Sequence, residues 1–205
     1  MAARIARQSL NAAPAEEELK GSPRSIRLDA LESGRPETCL QAFLDYFPGA
    51  KLRQSQSFHP DGGFSYFLLC EYAEDGRLSK ESIYWQGVLH TERLHLPQDK
   101  DGAQVTVTRS AAGQELERIA TRYNDAGQPI ECTNISDTGE AHLSARYDEQ
   151  GNFLDARATL PDGTEVTFPM EIDPAYKIVT RDAIGNWTEK TTPFATLYRT
   201  IQYYS

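Results

Sequence analysis

Glycine recurs along most of this chain at near-constant intervals, at positions 62, 76, 87, 102, 113, 127, 139, 151, 163 and 185. The intervals run from 11 to 15 residues, and the last, of 22, is two beats of 11. Most of these glycines sit in turn-forming contexts, among them Asp61-Gly62, Asp75-Gly76, Asp101-Gly102, Thr138-Gly139, Gln150-Gly151 and Asp162-Gly163. A hairpin turn that demands positive φ favours glycine because any Cβ would clash there. One turn per strand, repeated this regularly, predicts an antiparallel meander that reuses one short unit.

The segments between the turns carry the two-residue period of strands. Ala141, Leu143, Ala145 and Tyr147 oppose Glu140, His142, Ser144 and Arg146, and Leu154, Ala156, Ala158 and Leu160 oppose Asp155, Arg157 and Thr159. Such strands are dry on one face and solvated on the other. Phe64, Tyr66, Leu68, Cys70 and Tyr72 alternate as well, but Phe67 and Leu69 make the second face apolar, so this strand is expected to have both faces covered. A first strand is expected from Gly21 to Leu31, with Ile26 and Leu28 on one face. The stretch Phe168 to Lys177, with Pro169 and Pro174, reads as a break or a sheet edge.

One segment reads as a helix. Leu40, Phe43, Leu44 and Phe47 recur at i, i+3, i+4 and i+7, Pro36 suits a first helical turn, and Pro48-Gly49 is a stop. The expected architecture is therefore all-β, an antiparallel meander of roughly a dozen strands, more than an open twisted sheet usually carries. It should curl into a half-barrel or barrel, or split into packed sheets, with one short helix at about 36–47. Residues 1–20, rich in Ala and Glu, read as an N-terminal arm, and 21–205 as a single β domain.

Charge and cysteine usage narrow the function. A net charge of -9 and a pI near 5.0 argue against wholesale binding to a phosphate backbone. Cys39, Cys70 and Cys132 are widely spaced with no CxxC pair, so they read as buried thiols and not as zinc ligands. His90 and His95, five apart, point to opposite faces of a continuous strand and share no metal easily. No HExxH, Gly-x-Ser-x-Gly or phosphate-loop pattern occurs. Asp61, Asp75, Asp125 and Asp162 are explained as turn residues before they are needed as catalytic carboxylates. The expectation is no enzyme, no cofactor and no metal. Asn134-Ile-Ser136 and Asn186-Trp-Thr188 match the glycosylation sequon and read as chance matches. No apolar stretch approaches the roughly 20 residues of a membrane-spanning helix, and no signal-peptide core is seen. The expected location is the cytoplasm, or the periplasm if a leader has been removed.

Aligned on their turns, the segments share more than glycine. Tyr72-Ala-Glu-Asp-Gly76-Arg-Leu78, Tyr123-Asn-Asp-Ala-Gly127-Gln-Pro-Ile130 and Tyr147-Asp-Glu-Gln-Gly151-Asn-Phe153 all read Tyr-x-x-x-Gly followed by an apolar residue. Arg181-Asp-Ala-Ile-Gly185-Asn-Trp187 is a fourth copy without its tyrosine. The tyrosine ends a strand, the Asn/Asp-rich residues and glycine turn, and the apolar residue restarts the buried face. Tyr147-Asp148-Glu-Gln-Gly151-Asn152 resembles the YD repeat of Rhs-type proteins, whose core is Tyr-Asp-x-x-Gly-Asn. Leu19-Lys20-Gly21 at the start, and Arg199-Thr-Ile-Gln-Tyr203-Tyr204 after the last repeat, resemble small bacterial proteins with YD-like sheets, a likeness covering about residues 58–204. Full Rhs and teneurin proteins wind many such repeats into a shell around a cargo. This chain has too few repeats for that and no Asp-Pro-x-x-Gly self-cleavage motif. The resemblance implies a short curved sheet that offers a binding surface.

Aromatic residues are the candidate binding residues, since Tyr and Trp are enriched at recognition patches. Tyr84 and Trp85 are adjacent; Tyr198, Tyr203 and Tyr204 gather near the C terminus with Trp187 close in sequence. The functional expectation is a non-enzymatic protein-interaction module, an immunity or adaptor protein tied to a bacterial secretion system or toxin. Its partner would be a protein such as a toxin or effector, with no nucleic acid and no membrane insertion. The alternative is a β protein that binds a carbohydrate or another small ligand.

Overall fold

The computed structural model describes residues 19–32, 37–59, 61–169, 177–191 and 195–205. Among these, the strands in chain order begin with β1 (Pro23–Glu32), β2 (Cys39–Phe47), β3 (Lys51–Phe58), β4 (Phe64–Tyr72) and β5 (Leu78–Trp85). They continue with β6 (Val88–His95), β7 (Gln104–Ser110), β8 (Glu115–Tyr123), β9 (Pro129–Ser136) and β10 (Gly139–Tyr147). The last are β11 (Phe153–Thr159), β12 (Glu165–Pro169), β13 (Lys177–Arg181), β14 (Trp187–Thr191) and β15 (Ala195–Tyr203). All belong to one antiparallel sheet of 15 strands, a meander from β12 back to β1, continued by β15, β14 and β13. The order has two ends, so the pairing is that of an open sheet and not of a closed barrel. The proposed N-terminal arm, up to residue 18, lies outside the described residues, as do Pro36 and Pro174.

Eight of the turns are one structure. In the copy at Asp148, the Asp148 N–H donates to Asn152 O at 2.9 Å and the Gly151 N–H returns to Asp148 O at 3.0 Å. The same pair of bonds closes 59–63, 73–77, 99–103, 110–114, 124–128, 160–164 and 182–186. The fourth residue is always glycine, with φ between 76° and 96°. This is a three-residue hairpin loop, a type I turn whose next residue is left-handed. The fifth amide, exposed by the turn, is taken by a short side chain. Asp99, Ser110, Asn124, Asp148 and Asp182 accept it from the first position. Asp61, Asp75 and Asp162 accept it from the third. Both sets explain why Asx residues crowd around the glycines.

The region expected to be a helix is a strand. Residues 39–47 pair with β1 on one side and β3 on the other, with Ile26 opposite Leu44 and Leu28 opposite Ala42. The helical stripe hid a second reading, because Ala42, Leu44 and Tyr46 also alternate and meet the face of Ile26 and Leu28 in register. An isolated short helix is marginal in water, whereas this backbone is hydrogen-bonded along both edges. The stop signal was correct: β2 ends at Phe47, and Gly49 and Ala50 turn with φ of 86° and 61°.

By contact density the strands fall into two units. One holds β7 to β12 with the second half of β6; the other holds β1 to β5, the first half of β6, and β13 to β15. In the first, the core is Cys132, Leu143, Ala145, Ala156 and Ala158, with Ile119, Tyr147 and Phe153 packed against it. The one-sided alternation of β10 is realised in full, with Ala141, Leu143 and Ala145 buried and Glu140, His142, Ser144 and Arg146 exposed. In β11, Ala156 is fully buried, yet Leu154 is 48% exposed. The register explains this: Tyr147 faces Phe153 and Arg146 faces Asp155, so Leu154 is the extra residue of a bulge. In the second unit, Pro23, Ile26, Ala30, Tyr46, Cys70 and Trp187 are buried apolar side chains. Cys70 and Ser82 lie on opposite faces and are both buried, whereas Phe64 and Tyr66, at the start of β4, are exposed. The covering expected on both faces of that strand thus holds only around its C-terminal half.

The expected edge at Phe168–Lys177 is found in the strands at the two ends of that stretch. β12 and β13 are the two end strands of the sheet. β12 finishes on Pro169, which has no N–H to offer, and β13 is bulged at Val179 between Ile178 and Thr180. Both devices blunt an edge against further pairing.

Candidate interaction site

The aromatic residues singled out from the sequence lie in the second unit, and the strand pairing sorts them to two ends of its strands. Tyr84 and Trp85 close β5. Tyr203 closes β15 opposite Pro23, on the edge where β1, β3 and β5 begin.

At that edge Tyr72, Tyr203 and Tyr204 are tied into the scaffold, and within the first unit Tyr147 is tied in the same way. Tyr72, Tyr123 and Tyr147 are the last residues of β4, β8 and β10, as the motif predicts. The Tyr72 hydroxyl donates to Leu52 O at 2.7 Å and that of Tyr147 to Pro129 O at 3.0 Å. Each therefore fastens the end of its strand to the start of the preceding one. Tyr204, 39% exposed, uses the same device over a longer span and donates to Tyr46 O at 2.6 Å. Trp187, the apolar residue that follows the fourth turn, is 4% exposed and lies under the Arg199 guanidinium, 3.6 Å from the ring centroid. Its indole Nε1 is enclosed with no acceptor among the described residues. Tyr203 donates to the Asp182 carboxylate and accepts from Asn186 Nδ2 at 2.7 Å. Burial and the bond to Asp182 raise the Tyr203 hydroxyl above the usual phenol range. Burial pushes Asp182 up, but Tyr203 and the amides of Asn186, Ile184 and Gly185 outweigh it and hold this carboxyl low. Tyr198 is half-buried between Asp29 and Glu189 in the register. The Tyr203 and Tyr204 hydroxyls already have partners, and the cluster around them acts as a clasp.

The opposite end is different. Gln86 and Gly87 have φ of 50° and 79°, the pattern of a two-residue hairpin loop with both central residues left-handed. Trp85 and Val88 flank this turn, 48% and 70% exposed. Tyr66 lies directly opposite Trp85 on β4 and is 38% exposed. Beyond Tyr66 the row continues through Ser57 and Ala42, which are small. Tyr66, Trp85 and Val88 thus form a contiguous exposed row on one face, flanked by short side chains. Tyr84 points to the other face and packs against Phe67, with ring centroids 6.0 Å apart.

Sequence reasoning missed Tyr66 and Val88. Tyr66 sits in an apolar alternation that reads as core, and only its position at the open end of β4 exposes it. The sequence signal for Val88 was its place directly after Gln86-Gly87. Both sequon asparagines are buried and hydrogen-bonded, Asn134 to Glu117 at 2.8 Å and Asn186 to Lys20. Cys70, four residues beyond Tyr66 along β4, is buried, and burial, with the nearby Glu81, pushes its thiol up to about 11.

No family model matches this chain, and no curated protein does. Solved structures give likenesses of low TM-score. A porin-like protein from Bacteroides uniformis ATCC 8492 aligns with TM-score 0.43 and 11% identity, over 90% of this chain and 99% of that one. A DUF1329 family protein from Desulfovibrio piger ATCC 29098 aligns with TM-score 0.25 and 8% identity, over 97% and 89%. The TcdB2-TccC3-TEV structure aligns with TM-score 0.24 and 13% identity, over 82% of this chain but only 10% of that one.

Proposed function

We propose that this chain is a non-enzymatic protein-interaction module whose contact surface is the row Tyr66, Trp85 and Val88. The observation that carries this reading is the exposure of a tryptophan and a tyrosine side by side on adjacent strands, when Trp187 is buried and Tyr203 and Tyr204 are hydrogen-bonded into the scaffold. Large rigid aromatic rings that stay accessible on a folded surface are the residues that anchor protein interfaces. Small neighbours at Ser57 and Ala42 leave room for a partner side chain beside the tyrosine ring. The resemblance of the turn motifs to YD repeats supports a finer version, in which the chain is an immunity or adaptor protein and the partner is a toxin or effector of a bacterial secretion system.

The test is affinity capture with the full chain as bait, run in parallel with Trp85→Ala and Tyr66→Ala. A single protein retained by the wild type and lost from both variants supports the reading. Equal retention by all three baits, or capture of no protein, overturns it. A Tyr203→Phe bait separates loss of contact from loss of fold, because that residue belongs to the clasp.

A further inference from the structure

The solvated face of β9 to β12 holds an open groove of about 480 Å³. Its lining is set by cross-strand register within the first unit. One row across the four strands is Glu131, Ser144, Arg157 and Thr167. The next is Thr133, His142, Thr159 and Glu165. The rows are two residues apart along each strand, about 6.6 Å, and neighbouring members are about 4.8 Å apart.

Several charges on this face are neutralised in pairs. Arg122 holds Glu131 at 3.0 Å, Arg146 holds Asp155 at 2.7 Å, and His142 Nε2 lies 3.3 Å from Glu140. Arg157 acts on Asp155, two residues before it on β11, through its charge alone, with no direct ion pair between them among the described residues. It is exposed, with the Ser144 hydroxyl on one side in the register and that of Thr167 on the other. A planar guanidinium between two hydroxyls is a donor set for a carboxylate. The second row is built to read hydroxyls. His142 is oriented by Glu140 and, through Nδ1, by the Thr133 hydroxyl at 3.2 Å, and Glu165 offers an acceptor carboxylate.

We propose that this groove binds an acidic saccharide, with Arg157, Ser144 and Thr167 holding a uronate carboxylate and the Thr133–Glu165 row holding ring hydroxyls. The row separation matches the distance from a uronate's carboxylate to its far hydroxyls. A single arginine in a chain of net charge -9 argues against a nucleic-acid phosphate backbone. A peptide strand is disfavoured as well, because the backbone of β9, β10 and β11 is paired on both sides. This site is separate from the Trp85 surface and does not depend on it.

The experiment titrates tetragalacturonate into the full chain and follows backbone amide shifts, with maltotetraose and a hexa-aspartate peptide as comparators. Shifts confined to β9–β12 with tetragalacturonate, and at least tenfold weaker binding in Arg157→Ala, are expected. Arg109→Ala should bind as the wild type does. A urea midpoint unchanged in Arg157→Ala shows that the loss is not unfolding. Absence of shifts overturns the proposal, as do equal binding of maltotetraose, preference for hexa-aspartate, or unchanged affinity in Arg157→Ala.

Discussion

The side chain of Asn186 takes both backbone polar groups of Lys20, residues 166 apart in sequence, accepting the Lys20 N–H at 2.8 Å and donating to its carbonyl at 2.9 Å. In this geometry an amide side chain substitutes for a neighbouring strand. It holds the chain entering β1 against the turn between β13 and β14, where Gly21 also packs on Ile184. Asn186 is 4% exposed, so its own amide has no access to water in place of these bonds.

Replacing Asn186 by alanine should therefore cost about 1–3 kcal/mol, since it removes its bonds to both backbone groups of Lys20 and to the Tyr203 hydroxyl. Asn186→Asp should rescue little, because a carboxylate cannot donate to the Lys20 carbonyl. The homologous position in another turn, Asn152, is exposed and bonds back to Asp148, so Asn152→Ala should cost under about 1 kcal/mol. Urea midpoints of the three variants check this, and equal losses at 152 and 186 would refute the clasp.

The turn glycines divide by what surrounds them. Gly163 has φ of 82°, and a Cβ added there would meet nothing within 4 Å, so Gly163→Ala should cost only the left-handed backbone penalty, about 1–2 kcal/mol. Gly139 has φ of 114°, and an added Cβ would sit 2.8 Å from Pro161 Cβ. Gly139→Ala should lose distinctly more than Gly163→Ala in the same denaturation assay. Gly163→Asn separates the two effects, because asparagine tolerates that backbone and should recover part of the loss.

How far the sequence led depends on which period it displayed. Turn positions, strand alternation and the tyrosines at strand ends were legible because each rests on local chemistry: positive φ, Asx acceptors and a two-residue repeat. Residues 39–47 misled because Leu40, Phe43, Leu44 and Phe47 satisfy the helical period while their neighbours satisfy the strand period, and tertiary pairing decides between them. Bulges were illegible for a related reason. One extra residue reverses the alternation, so Leu154 turns outward although the pattern Leu154, Ala156, Ala158 places it with the core. Tyr66 and Arg157 were missed because exposure at a strand end and the hydroxyls that register sets beside an arginine are properties of the assembled sheet.

The bulge makes its own prediction. Leu154→Lys should change stability by less than about 0.5 kcal/mol, as an exposed position allows. Ala156 is 0% exposed, and Ala156→Leu should destabilise by about 1–3 kcal/mol or more through overpacking. If Leu154→Lys is the more damaging of the two, the register at Tyr147–Phe153 is wrong.

Acid should unfold this protein through its turns. The backbone amide and side chain of Arg77 hold Asp75 below the usual carboxylate range, and the Asn152 side chain and amide do the same for Asp148. Thr164 lowers Asp162 in the same way, and Arg146 lowers Asp155. A carboxyl whose pKa is depressed by folding binds its proton more tightly when unfolded. Its contribution is thus fully present above the unfolded value of about 4 and is lost as the pH falls through the folded value. The urea midpoint should be level from about pH 7 to pH 5 and fall steadily below about pH 4. Asp148→Asn retains an acceptor oxygen for the turn amides but no longer titrates. A double variant with Asp162→Asn should start lower at neutral pH and fall less on acidification, so that its curve converges with that of the wild type. Parallel curves for the two proteins would show that the turn aspartates do not set the acid limit.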